Sequence, residues 1–477
     1  MARIAVIGAG MGAMAAAARL AVAGHQVTVH ERGATYGGAV GQYTRDGFAF
    51  DTGPGLLHLP AVYRDLFVKT GKQPLESRVE TVQVDPAVRH VLADRTTVTL
   101  PGISRGGVAA ALDEAFGEGA GERWAAFLNR ARDAWDATRR PLLEEPLRAD
   151  WQVLGRDPYP AVRKSGLLRR RPPTLAEAAA RELGGPVAEL LENRVLAYGL
   201  DPRTAPAAAA VLPYMEQTFG SWYVRGGIRA LATAVYERCL ERRVEFAFGA
   251  EVTGVAVRDG RAAGLELADG RESAADAVVS GIDPRALAGL LPGRELWPDG
   301  ARRPEPGAAG TGRITVLCAL RGARPADAVH RTLVHAADGR PAVTVLRPDD
   351  PGTRPDADHE AVTVRAVAGP GDRFGAAELL DAAGAAVPGL RERLLWHEVR
   401  TPADDEEATG ALGGAVPAPA LAGADGRLLH PANSTALPGL YLAGGGAHPG
   451  GGLAHAGMSG ALVAGLIVEG ADFRGSR

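Results

Sequence analysis

Gly8, Gly10 and Gly12 stand at alternate positions, Ala13 follows them, and a carboxylate, Glu31, comes 23 residues after Gly8. Residues of these types at this spacing could hold an adenine dinucleotide. Gly8 would allow a tight turn, and Gly10 would let the backbone approach a pyrophosphate. Ala13 is small enough for close helix–strand packing, and Glu31 can accept hydrogen bonds from a ribose. They can do this only if regular elements position them. Arg3 to Ile7 is a β-branched run that predicts a strand. Met11 to Ala23 is rich in alanine, which a helix prefers. Gly24 would close that helix, and His25 to Val29 predicts a second strand that ends near Glu31. The helix N-terminus then offers free N–H groups and the positive end of its dipole to phosphates.

Glycine supplies 63 of the 477 residues, well above the usual share of about 7%. Spaced glycines alone would therefore be weak, and a ligand-free Gly-rich βαβ unit is the alternative. The strand before, the helix after and the acid at the right distance favour the dinucleotide. NAD and FAD both carry an adenosine ribose, so this motif does not choose between them.

Further segments add to it. Arg32 and the pair Gly37-Gly38 follow the acid, and then comes Asp46-Gly47-Phe48-Ala49-Phe50-Asp51-Thr52-Gly53-Pro54-Gly55. Near the other end lies Gly439-Leu440-Tyr441-Leu442-Ala443-Gly444-Gly445-Gly446, which continues through His448 to Gly450-Gly451-Gly452. Between them stand Tyr198-Gly199-Leu200-Asp201-Pro202, Trp222-Tyr223-Val224-Arg225-Gly226-Gly227, Gly249-Ala250-Glu251-Val252 and Arg400-Thr401-Pro402-Ala403-Asp404. In this order and spacing the chain resembles the FAD-dependent phytoene desaturase and carotenoid oxidoreductase family, within the amine-oxidase-like flavoproteins.

The resemblance implies FAD as cofactor. It places Gly8, Gly10, Met11, Gly12, Ala13, Glu31, Arg32, Gly37, Gly38, Ala39, Gly53, Pro54, Gly55, Leu56, Val252, Gly444, Gly445, Gly452, Leu453 and Ala454 around it. Four positions depart from the family pattern. Ala39 stands where an Arg usually follows the paired glycines, so phosphate neutralisation must come from elsewhere or the cofactor sits differently. Gly445 replaces an acid, and Ala454-His455 replaces a Pro-Gly.

Fold class follows as α/β, with a discontinuous Rossmann-type FAD-binding domain and a mixed α+β substrate domain inserted into it. Residues 1–60, 220–285 and 425–477 form the first, and 61–219 and 286–424 the second. The first insertion reads as largely helical. The second alternates β-rich runs (Ile314 to Leu320, Ala342 to Leu346, Ala361 to Val367) with Pro/Gly loops.

Composition narrows the function further. With 53 basic against 56 acidic residues and a net charge of −3, nothing points to nucleic acid as a partner. Cys239 and Cys318 form no CxxC pair, so no dithiol relay is expected and buried structural thiols are the plain reading. No metal site is expected. No apolar run reaches the ~18 residues of a membrane span, and a cytoplasmic location is expected. The stretch 163–171 packs five cations and two leucines together. It is either a solvated helix end or a peripheral contact with anionic lipid.

Hydride transfer from carbon to flavin N5 would need positioning and exclusion of water more than protein chemistry. A proton must also leave, so a base is sought. His455 is a candidate acceptor or a packing histidine at a helix start. His448 and His58 are candidates of the same kind, with ordinary loop roles as the alternative. Arg225, beside Tyr223, could anchor an anionic group or pair with a carboxylate. Gly307 to Gly312 only superficially resembles a second dinucleotide motif, since a proline-rich loop precedes it and a strand follows. Electrons would then pass to oxygen, a quinone or an external carrier. The leading expectation is an FAD-dependent desaturase or oxidase on an apolar polyene or isoprenoid-like small molecule. The alternatives are a flavin amine oxidase, a tailoring oxidoreductase or cyclase on a polyene natural product, and a redox-neutral isomerase.

Overall fold

The computed structural model describes residues 1–147, 173–297, 311–337, 339–369, 372, 374–420 and 430–475. The basic stretch 163–171 and Gly307 to Gly310 lie outside the described residues.

The opening residues fold as their pattern predicts. Strands Arg3–Ile7 and Gln26–Glu31 flank the helix Met11–Val22. Three further strands, Glu245–Phe248, Ala277–Ser280 and Leu440–Leu442, complete a five-stranded sheet. Its order runs Leu440, Ala277, Arg3, Gln26, Glu245 by first residue, and every pairing is parallel. This is a Rossmann-type sheet assembled from the beginning, middle and end of the chain. Its central strands read as unbroken small and branched apolar runs because both faces are covered. All four residues of Ala277–Ser280 are buried.

The helix Leu453–Glu469 returns the chain to this sheet and packs on Met11–Val22. Here the approach is backbone to backbone. A Cβ on Gly460 would lie 2.4 Å from the Gly12 carbonyl oxygen and 2.7 Å from the Ala16 nitrogen. A Cβ on Gly12 would lie 2.6 Å from the Cα of Gly444. Alanine in the first helix is thus required by packing as well as favoured by propensity. Ala15 to Ala18 have no exposed surface.

A second sheet has seven strands, ordered Leu394–Arg400, Gly312–Arg321, His359–Ala368, Val343–Leu346, Arg331–Val334, Val88–Val91 and Thr97–Leu100. Gly312–Arg321 and His359–Ala368 pair antiparallel along their full length, from Gly312 opposite Ala368 to Arg321 opposite His359. Alternation splits this sheet into two faces. Val316, Cys318, Leu320, Val362 and Val364 pack with Leu379, Leu380 and Ala383 of the helix Ala376–Ala383. The opposite face carries Arg313, Thr315 and Arg365.

The first insertion is only partly as expected. Helices Ala120–Arg139, Leu175–Glu182, Gly185–Leu196 and Val211–Phe219 build a core around Trp124, Phe127, Leu190 and Leu191. The same insertion also sends two strands into the seven-stranded sheet. Their sequences, Val-Arg-His-Val and Thr-Val-Thr-Leu, carry the β-branched alternation of strands, which the helical composition around them obscures.

Candidate active site and cofactor cradle

A cavity of about 2060 Å³ lies between the parallel sheet, the seven-stranded sheet and the helical layer. Ligand pockets are commonly about 300–1,000 Å³, so this space could take a dinucleotide and a long substrate together. The nucleotide-type motifs converge on it. Gly8, Gly10, Met11, Gly12, Glu31, Arg32, Gly37, Gly38 and Ala39 line it from one end of the chain. Gly53, Pro54, Gly55, Leu56, Val252, Gly444, Gly445, Gly452, Leu453 and Ala454 line it from elsewhere. Ala13 does not reach the cavity. It packs behind, where a Cβ on Gly281 would come within 2.7 Å of its methyl.

The cradle fits a dinucleotide. Gly10 caps the helix Met11–Val22 and Gly452 caps Leu453–Glu469. Neither cap makes a side-chain hydrogen bond, and neither first turn holds an acid. Both helices therefore point unsatisfied N–H groups and positive dipole ends at one cavity. A Cβ on Gly10 would meet nothing within 4 Å, so its Cα faces open space as a pyrophosphate requires. Glu31 is fixed where a ribose acceptor is needed. Its Oε2 accepts from the Ala9 N–H at 2.8 Å and its Oε1 from the Gly33 N–H at 2.7 Å. Each oxygen keeps a further lone pair for a hydroxyl.

Ala39 leaves no cation after the paired glycines, and Arg229 stands beside that loop instead. Its guanidinium donates to the carbonyls of Tyr36 and Val40 and to Thr35 Oγ1, and lies 4.1 Å from the centre of the Tyr36 ring. It fixes the loop from 35 to 40. Arg32 turns the other way and donates to the carbonyls of Glu406 and Glu407, at the C-terminal end of the helix Pro402–Thr409.

The candidate acid–base residues separate. His455 lines the cavity in the first turn of the last helix. Neither ring nitrogen has a hydrogen-bond partner among the described residues. Burial, with His430 and His58 nearby, pushes it down to about 4, so the imidazole is neutral near pH 7. His58 lines the same cavity. Its Nδ1 is 3.3 Å from Ser221 Oγ, and its Nε2 is 3.8 Å from Glu216 Oε1. Burial lowers it against the pull of Glu216. His448 is not among the cavity residues. Its Nε2 is 2.9 Å from the Glu145 carbonyl oxygen, and burial pushes it down to about 3. Arg225 also lies outside, with Nε 3.3 Å from Glu80 and one N–H on the Asp349 carbonyl at 2.8 Å. Its neighbour Tyr223 donates to Asp350 at 2.9 Å.

A buried polar cluster in the cavity wall includes Tyr198 of the Tyr198-Gly199-Leu200 segment, but no motif announced its charged members. Glu216 accepts from Arg194 and Arg331, each at 2.7 Å, and from the Tyr198 hydroxyl at 2.6 Å. Burial alone would raise its carboxyl, but the two guanidiniums hold it well below the usual range. Beyond it, His335 Nε2 lies 3.0 Å from His90 Nδ1, and His335 Nδ1 lies 3.1 Å from Asn193 Nδ2. Acids and cations far apart in sequence meet here. The available signal was polar residues in otherwise apolar elements, such as Glu216 in Val-Leu-Pro-Tyr-Met-Glu.

The chain is similar to several known proteins. Hydroxyneurosporene desaturase of Rubrivivax gelatinosus is 29% identical, over 98% of this chain and 94% of its own. The 4,4'-diapolycopene oxygenase of Methylomonas sp is 31% identical, over 59% of this chain. That match spans 56% of the oxygenase, and several other curated relatives are likewise matched over about half their length. An oxidoreductase of Methanosarcina mazei has the same fold, with a TM-score of 0.65 at 18% identity over 97% of this chain and 99% of its own. The family model described as flavin containing amine oxidoreductase matches residues 14–468. The chain therefore belongs to the flavin-containing amine oxidoreductases, in their carotenoid desaturase-like branch, and FAD is the cofactor for which its glycine cradle is built.

Proposed function

We propose that the protein is an FAD-dependent desaturase or oxidase that removes hydrogen from a long, largely apolar polyene or isoprenoid-like substrate. One observation carries this reading. The cofactor cradle opens without a break into a much larger space, lined by Leu196, Met215, Leu333, Val334 and Leu346 as it leaves the glycine loops. The near full-length likeness to a hydroxyneurosporene desaturase supports it.

Bound FAD supplies a hydride acceptor. The chain's own residues supply the rest. The uncapped N-termini at Gly10 and Gly452 hold and orient negative charge. The apolar walls strip water from the substrate chain. His455, neutral and unpartnered at the cavity surface, takes the proton that leaves with the hydride.

The test is direct. FAD-loaded protein, given neurosporene or lycopene in liposomes with an electron acceptor, should release a product lighter by two hydrogens with a red-shifted polyene absorption. Unchanged polyenes together with prompt flavin reduction by an amine such as putrescine would overturn the reading in favour of an amine oxidase.

A further inference from the structure

The inner face of the seven-stranded sheet forms one wall of the cavity, and its composition is not that of a hydrocarbon site. Leu333 stands opposite Thr344, Thr344 opposite Arg365, Arg365 opposite Thr315, and Thr315 opposite Arg400. All five line the cavity. Arg313, two residues before Thr315 on the same face, lines it too. Strands are roughly 4.8 Å apart and i,i+2 neighbours roughly 7 Å apart, so three arginine stems rise around Thr315 within roughly 10 Å.

Their partners are unequal. Arg400 pairs with Asp405 at 3.1 Å, yet its buried Nε has no hydrogen-bond partner among the described residues. Arg313 donates to the Ala197 carbonyl at 3.2 Å, and Arg365 to the Asp51 carbonyl at 2.8 Å. Neither forms an ion pair with a carboxylate among the described residues. The carboxylates that face them are Asp405, already paired with Arg400, and Asp51. Burial pushes Asp51 up to about 6. Burial and mutual repulsion with Arg313 bring Arg365 down to about 10, so it remains charged at neutral pH, and burial lowers Arg313 as well. Deeper in the cavity Arg331 shares the carboxylate of Glu216 with Arg194, which is buried behind the lining. Cations outnumber anions along this wall, and uncompensated buried charge is costly.

We infer that this wall is an anion subsite, in which Arg313 and Arg365 bind a carboxylate carried at one end of the substrate while the apolar lining takes its chain. The inference rests on the proposed polyene reading and deepens it, from a neutral hydrocarbon to an acid-ended amphiphile. Thr315 and Thr344, between the arginines, add hydroxyl donors to the same wall. Arginine is suited to this because its planar fork matches a carboxylate with two parallel hydrogen bonds.

Binding tests it independently of turnover. All-trans-retinoic acid and its methyl ester are titrated into the FAD-loaded protein, followed by tryptophan fluorescence. The acid should bind about tenfold or more tighter than the ester. In Arg313→Gln and Arg365→Gln that ratio should fall towards one, with ester affinity unchanged. Should either variant lose its fold, Thr315→Asp serves instead, since it sets an anion among intact arginines and should abolish the preference. Equal binding of acid and ester by the unaltered protein overturns the subsite and leaves the apolar reading standing. Binding of neither probe overturns both. Loss of FAD affinity in the variants with an unchanged acid-to-ester ratio would assign these arginines to the cofactor and end the proposal.

Discussion

In the proposed mechanism His455 takes the proton. It lies on the first turn of the last helix, beside Gly452, which opens that turn. A Cβ on Gly452 would come within 3.4 Å of the imidazole Nδ1. Burial makes it a weak base, at about 4, and so keeps it neutral and ready to accept. His455→Ala should retain FAD, seen in its absorbance, and lose about 10²–10⁴ in turnover, the range of a general base. In the unaltered protein, turnover should hold from neutral pH downward and fall as pH drops through about 4, where the imidazole takes a proton. Unchanged turnover in the alanine variant would remove His455 from the mechanism. His448 and Arg225 show how far neighbouring residues can part from a site. Sequence places His448 in the glycine loop, but its ring turns back to the Glu145 carbonyl. Arg225 stands in the Trp-Tyr-Val-Arg-Gly-Gly segment, yet it points to Glu80. Side-chain direction depends on tertiary partners that local spacing does not carry.

At the scale of elements, contact between the first and last helices holds the cradle in shape. Gly460→Ala would press a methyl into the backbone at Gly12 and Ala16. Overpacking of this kind costs roughly 1–3 kcal/mol. The two helix N-termini would also be forced apart, so the variant should lose both thermal stability and FAD occupancy. Wild-type occupancy with lowered stability alone would mean that the cradle tolerates the shift. The strand–glycine–helix unit was legible because its signals lie within 31 residues and each has a local cause. The cation wall was not legible, because its row crosses strands separated by up to 85 residues, from Thr315 to Arg400. What sequence did offer was Arg313 and Arg365 at alternate positions in β-branched runs, a period-two pattern whose inward face only pairing identifies. The missing second nucleotide motif leads to another expectation. Thr311 and Gly312, which end the weak Gly307 to Gly312 match, run straight into the strand Gly312–Arg321. NADPH added without oxygen should leave the FAD absorbance unchanged, and rapid bleaching would refute the view that reduced flavin is made only by substrate.

For the whole molecule, buried histidines set how the fold responds to acid. His330 and His448 are pushed down to about 3, and His335 and His455 to about 4, by burial in each case. His58 and His90 are lowered for the same reason. Unfolded, each returns to its ordinary value of 6.5. Between pH 6.5 and about 4 the unfolded chain therefore binds more protons than the folded one, and stability rises with pH across that window. Asp51 opposes this. Raised to about 6 from 3.8, it binds its proton more tightly when folded and favours the folded state on acidification. These six imidazoles, with His30 also lowered by burial, outnumber the raised carboxylates Asp51, Glu192 and Asp405, which fixes the sign. The midpoint of thermal unfolding of the FAD-loaded protein should fall steadily from pH 7 to pH 5. His448→Gln, which keeps a donor for the Glu145 carbonyl and removes one titration, should make that fall shallower by about one proton in the linkage slope. A midpoint that stays level or rises on acidification would mean that these rings are protonated, and so hydrated, in the folded state. For His58, His335 and His455, which line the cavity, that would open the site to water in a way that a dry hydride-transfer site could not tolerate.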